Sequence, residues 1–230
     1  MHLVKASPAL ECRKAWNITE AVLIGVGGSL AFTLLAFLFS SLINPYPYAV
    51  TFGRFQARET TALVAQVGAG LVFVPVVLSI ARRRCSEGFW ASIGWNSARL
   101  DPVPTILYGA ILATAVSVGL TARYGSAGSL RSPADLALYV LSEVLVGSLM
   151  EETYFRGILF SALANRLGTL ASILIVTLIS SLVHLGHIFY VLPAMALLGF
   201  MRLRTKSVAS CFVFHASYNL FAGVYVLVAR

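Results

Sequence analysis

The chain has 230 residues, 58% of them hydrophobic and 11% charged, with a mean hydropathy of +0.84 and a net charge of +8. A water-soluble domain carries about 25% charged residues, so this composition excludes a globular surface in water and suits one that faces lipid. The positive balance then reads as a topology signal held on the cytoplasmic side, and no nucleic-acid partner is expected.

Residues 1–19 are polar and lack the apolar core of a cleavable signal peptide, so the first apolar run is expected to stay in the membrane as a signal anchor. A spanning helix needs roughly 20 predominantly apolar residues. The candidates are 21–43, 61–81 and about 104–121, then a fourth span that begins near Asp135 and runs through LMEETYFRGILF (149–160). A fifth is expected at about 169–191, a short sixth at 193–203 and a seventh at 208–229. The expected fold is all-α, a polytopic transmembrane helix bundle of six to seven spans, with seven the better count.

No internal repeat or linker divides the chain. It reads as one continuous membrane domain, with N-terminal spans and an interfacial segment in 1–108 and a core bearing the polar motifs in 109–230. The loop at 44–48 has the aromatics of a headgroup interface, as does 85–104, with Trp90, Trp95 and a turn at Gly94. Cys12, Cys85 and Cys211 are isolated and form neither a disulfide framework nor a zinc-finger spacing.

With the N-terminus inside, the cytoplasmic side holds Lys5, Arg13, Lys14, Arg82, Arg83, Arg84, Arg99, Arg166, Arg202, Arg204 and Lys206. The outer side then holds Arg54, Arg58, Arg123, Arg131 and Arg230. Eleven against five sets the N-terminus in the cytoplasm.

Three polar clusters interrupt the apolar runs. In the first, Glu152 and Arg156 stand at i, i+4 and can pair on one helix face. Glu151 points about 100° away, so one glutamate is neutralised and the other faces something else. Gly168, after a basic last turn, is a helix stop. Glu151 lies 17 residues before it and His184, in the second cluster SSLVHLGH, 16 after it. An antiparallel return therefore brings the two to one depth, roughly 24–25 Å from the turn. With the N-terminus inside, that depth lies toward the outer half of the membrane.

The third cluster, FHASYN, places His215 and Asn219 on one face, near the depth of His184. Glu151, His184, His215 and Asn219 thus converge, and ionisable residues inside a membrane default to function. His187 shares a face with His184 and is an accessory polar group or a second ligand. Glu143 lies about 80° around the helix from Glu151 and reads as structural or accessory, able to line the same cavity.

A carboxylate, two histidines and an amide in a confined site suit water activation followed by carbonyl attack. There is no GxSxG elbow and no HExxH zinc helix. Ser180 and Ser181 suit helix packing better than nucleophilic work. No metal is assigned. Glu151, His184 and His215 could instead hold zinc with a water in the fourth position, and the residues alone leave both versions open. A transporter would show broken-helix repeats in two halves, and none is present.

EETYFRG resembles the EExxxR motif of the CaaX protease and bacteriocin-processing family of intramembrane proteases. His184 stands where the family's FxxxH motif has its histidine, with Ser180 in place of the phenylalanine; the register that takes His187 puts Val183 there. HASYN resembles the third motif, HxxxN, and MRLRTKSV the basic turn before it. The likeness covers roughly 109–222.

The resemblance implies an endopeptidase of the glutamic type, often labelled a metalloendopeptidase, that cleaves a membrane-anchored protein or peptide at the lipid bilayer. CaaX processing and C-terminal sorting or maturation are the implied tasks. It further implies Glu151 as base, His184 as the residue that positions water, and His215 with Asn219 as oxyanion donors. Glu152 and Arg156 support the helix and its charge balance. The implied location is an inner or plasma membrane of bacterial type. A non-catalytic immunity or partner-binding protein on the same scaffold is the alternative.

Overall fold

The computed structural model describes residues 16–43, 59–84, 89–96, 101–124, 133–184 and 188–228. Lys5, Arg13, Lys14, Arg54, Arg58, Arg99, Arg131 and Arg230, which enter the orientation count, lie outside the described residues. So do the aromatic loop 44–48, Cys12, Cys85 and His187.

The described residues form α1 (Ile18–Ile43), α2 (Glu59–Arg84), the single turn α3 (Phe89–Ser92), α4 (Pro102–Tyr124) and α5 (Pro133–Leu167). They continue through α6 (Thr169–Leu182), α7 (Ile188–Thr205) and α8 (Val208–Val228). Among the described residues there is no strand. The expected all-helical membrane fold is what the chain adopts. Among the described residues four segments are long and apolar enough to cross a membrane: Ile18–Phe39, Pro102–Leu120, Pro133–Leu167 and Ile188–Thr205.

Local sequence explains the ends of these helices. Asn17 Oδ1 accepts the Glu20 amide at 2.8 Å, and the Asn17 amide donates back to Glu20 Oε2 at 3.4 Å. That reciprocal cap starts α1. Leu23, Leu30, Leu34 and Leu38 then form an exposed stripe suited to lipid. Gly168, at φ +79°, ends α5 in a conformation that favours glycine. Ser207 follows the α7–α8 turn, and its hydroxyl accepts the Ser210 amide at 3.3 Å, capping α8.

α5 is not a uniform α-helix. Val140–Gly147 and Thr153–Leu159 are π-helical. Wider i→i+5 turns of this kind recur at functional sites.

The fifth and sixth spans differ from expectation. α6 stops at Leu182, followed by a turn at Val183 and His184, and α7 already begins at Ile188. The single apolar run anticipated over 169–191 is therefore broken at the polar SSLVHLGH cluster. The short sixth span is in fact an 18-residue helix with Pro193 inside it. A helix end at membrane depth is tolerated where its loose backbone groups are buried in protein or line a cavity.

The α7–α8 turn gives a second reference for depth. Arg202 Nε donates to the Arg156 carbonyl at 2.9 Å, so α7 ends beside Arg156 rather than level with the α5–α6 turn. His215 lies nine residues beyond Lys206, about 14 Å along α8. His215 Nδ1 touches Glu152, so the layer of the glutamates lies about that far from the basic α7–α8 turn.

That turn is covered by the interfacial segment around Trp90 and Trp95. Gly94, at φ +87°, leaves space for the Arg202 guanidinium, and its carbonyl accepts the Val208 amide at 2.7 Å. Trp95 Nε1 donates to Thr153 Oγ1 at 3.1 Å, and its ring packs on Phe212 and Trp90. Asn96 Nδ2 donates to the Lys206 carbonyl at 3.3 Å, and Ser207 Oγ donates to the Asn96 carbonyl.

One buried cluster joins α1, Ile93 and the second half of α5 through Ala21, Phe155, Ile158 and Leu159. Another joins α7 and α8 through Met195, Leu198, Cys211 and Phe214. α4 packs along α8 at a glycine. A Cβ on Gly109 would stand 2.9 Å from both the Phe214 carbonyl oxygen and Ser217 Cβ, whereas one on Gly27 would meet nothing within 4 Å.

Gly109→Ala is therefore expected to cost about 1–3 kcal/mol through overpacking, and Gly27→Ala to leave stability unchanged or slightly higher. Thermal unfolding of both variants in one detergent checks this. Equal melting of the two would refute the close α4–α8 contact.

Candidate active site

The site is built on α5. Glu152 is fully buried at 0% exposure and Arg156 nearly so at 1%. Arg156 Nη1 donates to Glu152 Oε1 at 3.1 Å, the pairing their spacing anticipates. The same oxygen lies 2.8 Å from His215 Nδ1 on α8. Arg156 Nη2 reaches Ser180 Oγ on α6 at 3.4 Å and the Met195 carbonyl and sulfur on α7 at 3.4 and 3.3 Å. One ion pair therefore ties α5 to α6, α7 and α8.

Glu151 points elsewhere. It lines a cavity of about 370 Å³ between α1, α2 and α5, and its Oε2 is buried without a hydrogen-bond partner. The cavity is mostly apolar, with Gly25, Gly28 and Phe32 from α1 and Val74 and Leu78 from α2. Tyr154 also borders it, and its hydroxyl donates to the Ala21 carbonyl at 3.1 Å, fixing α1 against α5. A carboxylate oxygen without a partner in such surroundings is costly.

Glu143 lines the same cavity. An ideal α-helix would hold it about 80° from Glu151, but Val140–Gly147 is π-helical. Each π ring holds one residue more than an α ring, so each residue advances by less than 100°. Over this stretch the offset closes, and both carboxylates border one space.

The last motif asparagine binds the π turn. Asn219 Nδ2 donates to the Glu143 carbonyl at 3.1 Å and lies 3.2 Å from Ser148 Oγ. The Glu143 carbonyl also accepts the Ser148 amide and, at 3.0 Å, the Ser148 hydroxyl. Tyr139 hydroxyl in turn donates to the Asn219 carbonyl at 2.9 Å.

His184 sits in the turn after α6, half-buried, with Nδ1 3.0 Å from the Ser180 carbonyl. His184, Glu151 and His215 lie within electrostatic reach of Glu143. Ser180 and Ser181 are buried packing residues whose hydroxyls donate to the Thr177 carbonyl at 3.2 and 2.8 Å.

Of the four residues singled out by sequence, Glu151 shares the cavity with Glu143, whose spacing had marked it as accessory, and Asn219 bonds the Glu143 carbonyl, whereas His184 and His215 are not among the residues that line that cavity. Regular α periodicity carries no signal for this. The roles of Ser148, Tyr139 and Arg202 were equally silent, since each depends on a contact between separate segments. Among the described residues no three His, Cys, Asp or Glu side chains gather as a ligand set.

Residues 133–221 match the family model described as Type II CAAX prenyl endopeptidase Rce1-like. No curated protein and no solved structure matches the chain. The matched region holds the whole glutamate–arginine–histidine junction.

Removing one partner of a buried pair leaves the other charge uncompensated, at a cost of about 3–5 kcal/mol. Arg156→Ala is expected to lose that much, and Arg156→Lys to recover only a part, because one ammonium cannot reach Glu152, Ser180 and Met195 together. Unfolding by SDS titration in mixed micelles measures both. Wild-type stability of Arg156→Ala would show that the junction does not hold the bundle.

Proposed function

We propose that this chain, an integral membrane protein whose residues 133–221 carry the CAAX-endopeptidase match, is a glutamic-type intramembrane protease. It cleaves a membrane-anchored protein or peptide with water activated by Glu151. The observation that carries this is the division of labour between the adjacent glutamates. Glu152 is spent through Oε1 on Arg156 and His215, whereas it is Glu151 that borders the cavity; among the described residues each keeps an Oε2 without a hydrogen-bond partner.

The chemistry follows from the contacts. The Glu151 carboxylate takes a proton from water as the oxygen attacks the scissile carbonyl, and His184 orients that water. A carboxylate only accepts hydrogen bonds, so His215 Nδ1–H is the hydrogen on Glu152 and Nε2 is left for substrate. Nε2 can donate to an oxyanion only in the imidazolium form, and Glu152 beside Nδ1 supports that charge. Asn219 has its amide nitrogen on the Glu143 carbonyl and Ser148, and it serves by holding the wall of the site.

The orientation is proposed as well. With eleven basic residues inside and five outside, the N-terminus lies in the cytoplasm, in a plasma or inner membrane of bacterial type. The basic α7–α8 turn then faces the cytoplasm, with the site about 14 Å beyond it. Cytoplasmic access to a CaaX-type terminus or a sorting segment is consistent with that depth.

The test is cleavage of membrane-anchored peptides by the purified chain in lipid, with Glu151→Gln beside wild type and with and without a chelator. The panel includes a prenylated CaaX peptide and C-terminal sorting segments. Loss of the base is expected to lower the rate by about 10²–10⁴-fold, and chelator to leave it intact. Undiminished cleavage by Glu151→Gln would sink the proposed mechanism, and chelator-sensitive cleavage would replace it with a metal-dependent one.

A further inference from the structure

Glu143 is more than a neighbour of the site. Its carboxyl group borders the same apolar cavity as Glu151, and among the described residues no arginine or lysine pairs with it. Gly147 lies beside it: a Cβ there would make ordinary contact with Glu143 Oε2 at 3.7 Å and a tight one with the Ser142 carbonyl at 3.1 Å. Its backbone is clamped by three donors, the Ser148 amide and hydroxyl and the Asn219 amide. Glu151, His184 and His215 all lie within its electrostatic reach. A π turn and a motif asparagine thus fix the backbone of a residue whose carboxyl group borders the cavity.

From this placement we propose that Glu143 is a second catalytic carboxyl, the acid that protonates the leaving amide nitrogen. The inference rests on Glu151 as general base. Two carboxylates facing one apolar space repel, and the repulsion is relieved when they share a proton. The shared proton is assigned to Glu143, which leaves Glu151 to act as base.

As water attacks, one of its protons passes to Glu151, and the carbonyl π electrons move to the oxygen. When the tetrahedral intermediate collapses, the C–N bond breaks and its electron pair stays on nitrogen, which takes the Glu143 proton. The products are a carboxylic acid and an amine. Transfer of the proton from Glu151 back to Glu143 restores the enzyme, so one water is consumed and no other co-reactant is needed.

Two measurements on the full chain in lipid vesicles decide this. Dicyclohexylcarbodiimide adds to protonated carboxyl groups in apolar surroundings and rearranges to a stable N-acylurea. At neutral pH, peptide mass spectrometry is expected to find the label on Glu143 and none on the ion-paired Glu152. In kinetics, Glu143→Gln is expected to lose peptide cleavage by about 10²–10⁴-fold. It should retain hydrolysis of a matched aryl ester, whose leaving group departs without a proton.

An unlabelled Glu143 would overturn the proposal. So would equal loss of peptide and ester hydrolysis, the mark of a merely structural residue. Glu151→Gln is expected to lose both reactions. If it kept both, the general-base assignment would fail, while the label would still decide the state of Glu143.

Discussion

The bundle depends on one carboxylate oxygen. Glu152 Oε1 receives both Arg156 Nη1 and His215 Nδ1, and the guanidinium reaches on to α6 and α7. In hydrocarbon these groups have no water to fall back on, so the pair must be made whole inside the protein. Its net contribution to stability is small beside the cost of breaking it. What it supplies is registry. The four helices of the matched region can meet at only one mutual height, and that height sets the site.

Registry alone would not bring the carboxyl groups together. On an ideal α-helix Glu143 and Glu151 would face different neighbours. The π turn alters the phase of α5, and such a turn leaves backbone groups loose unless something takes them. Here Ser148 and Asn219 take the Glu143 carbonyl, and Tyr139 holds Asn219 through its own carbonyl. The asparagine of the last motif therefore acts on the geometry of the first.

Enclosure comes from outside the matched region. α1 and α2 close the cavity with an apolar wall, and Tyr154 fixes α1 by its hydroxyl on Ala21. The segment from Phe89 to Asn96 covers the α7–α8 turn, with Trp95 on Thr153 and Asn96 on Lys206. Arg202, between Gly94 and the Arg156 carbonyl, links that cover to the ion-pair junction. Binding space, cover and charged centre are mechanically one unit.

Composition and local spacing alone determined the membrane class, the all-helical fold and the helix stop at Gly168. They also separated the two glutamates, because an i, i+4 relation between Glu152 and Arg156 survives in almost any helix. The turn at Gly94 was legible from its glycine. Only the tertiary structure decided the break after Leu182, the π phase of α5, the partner of His215 and the depth of the site. Each of these depends on a contact between residues far apart in sequence, such as Asn219 with Glu143 or Arg202 with Arg156. Regular helical periodicity assumes one rise and one turn angle throughout, and it is those contacts that stabilise the departures from it.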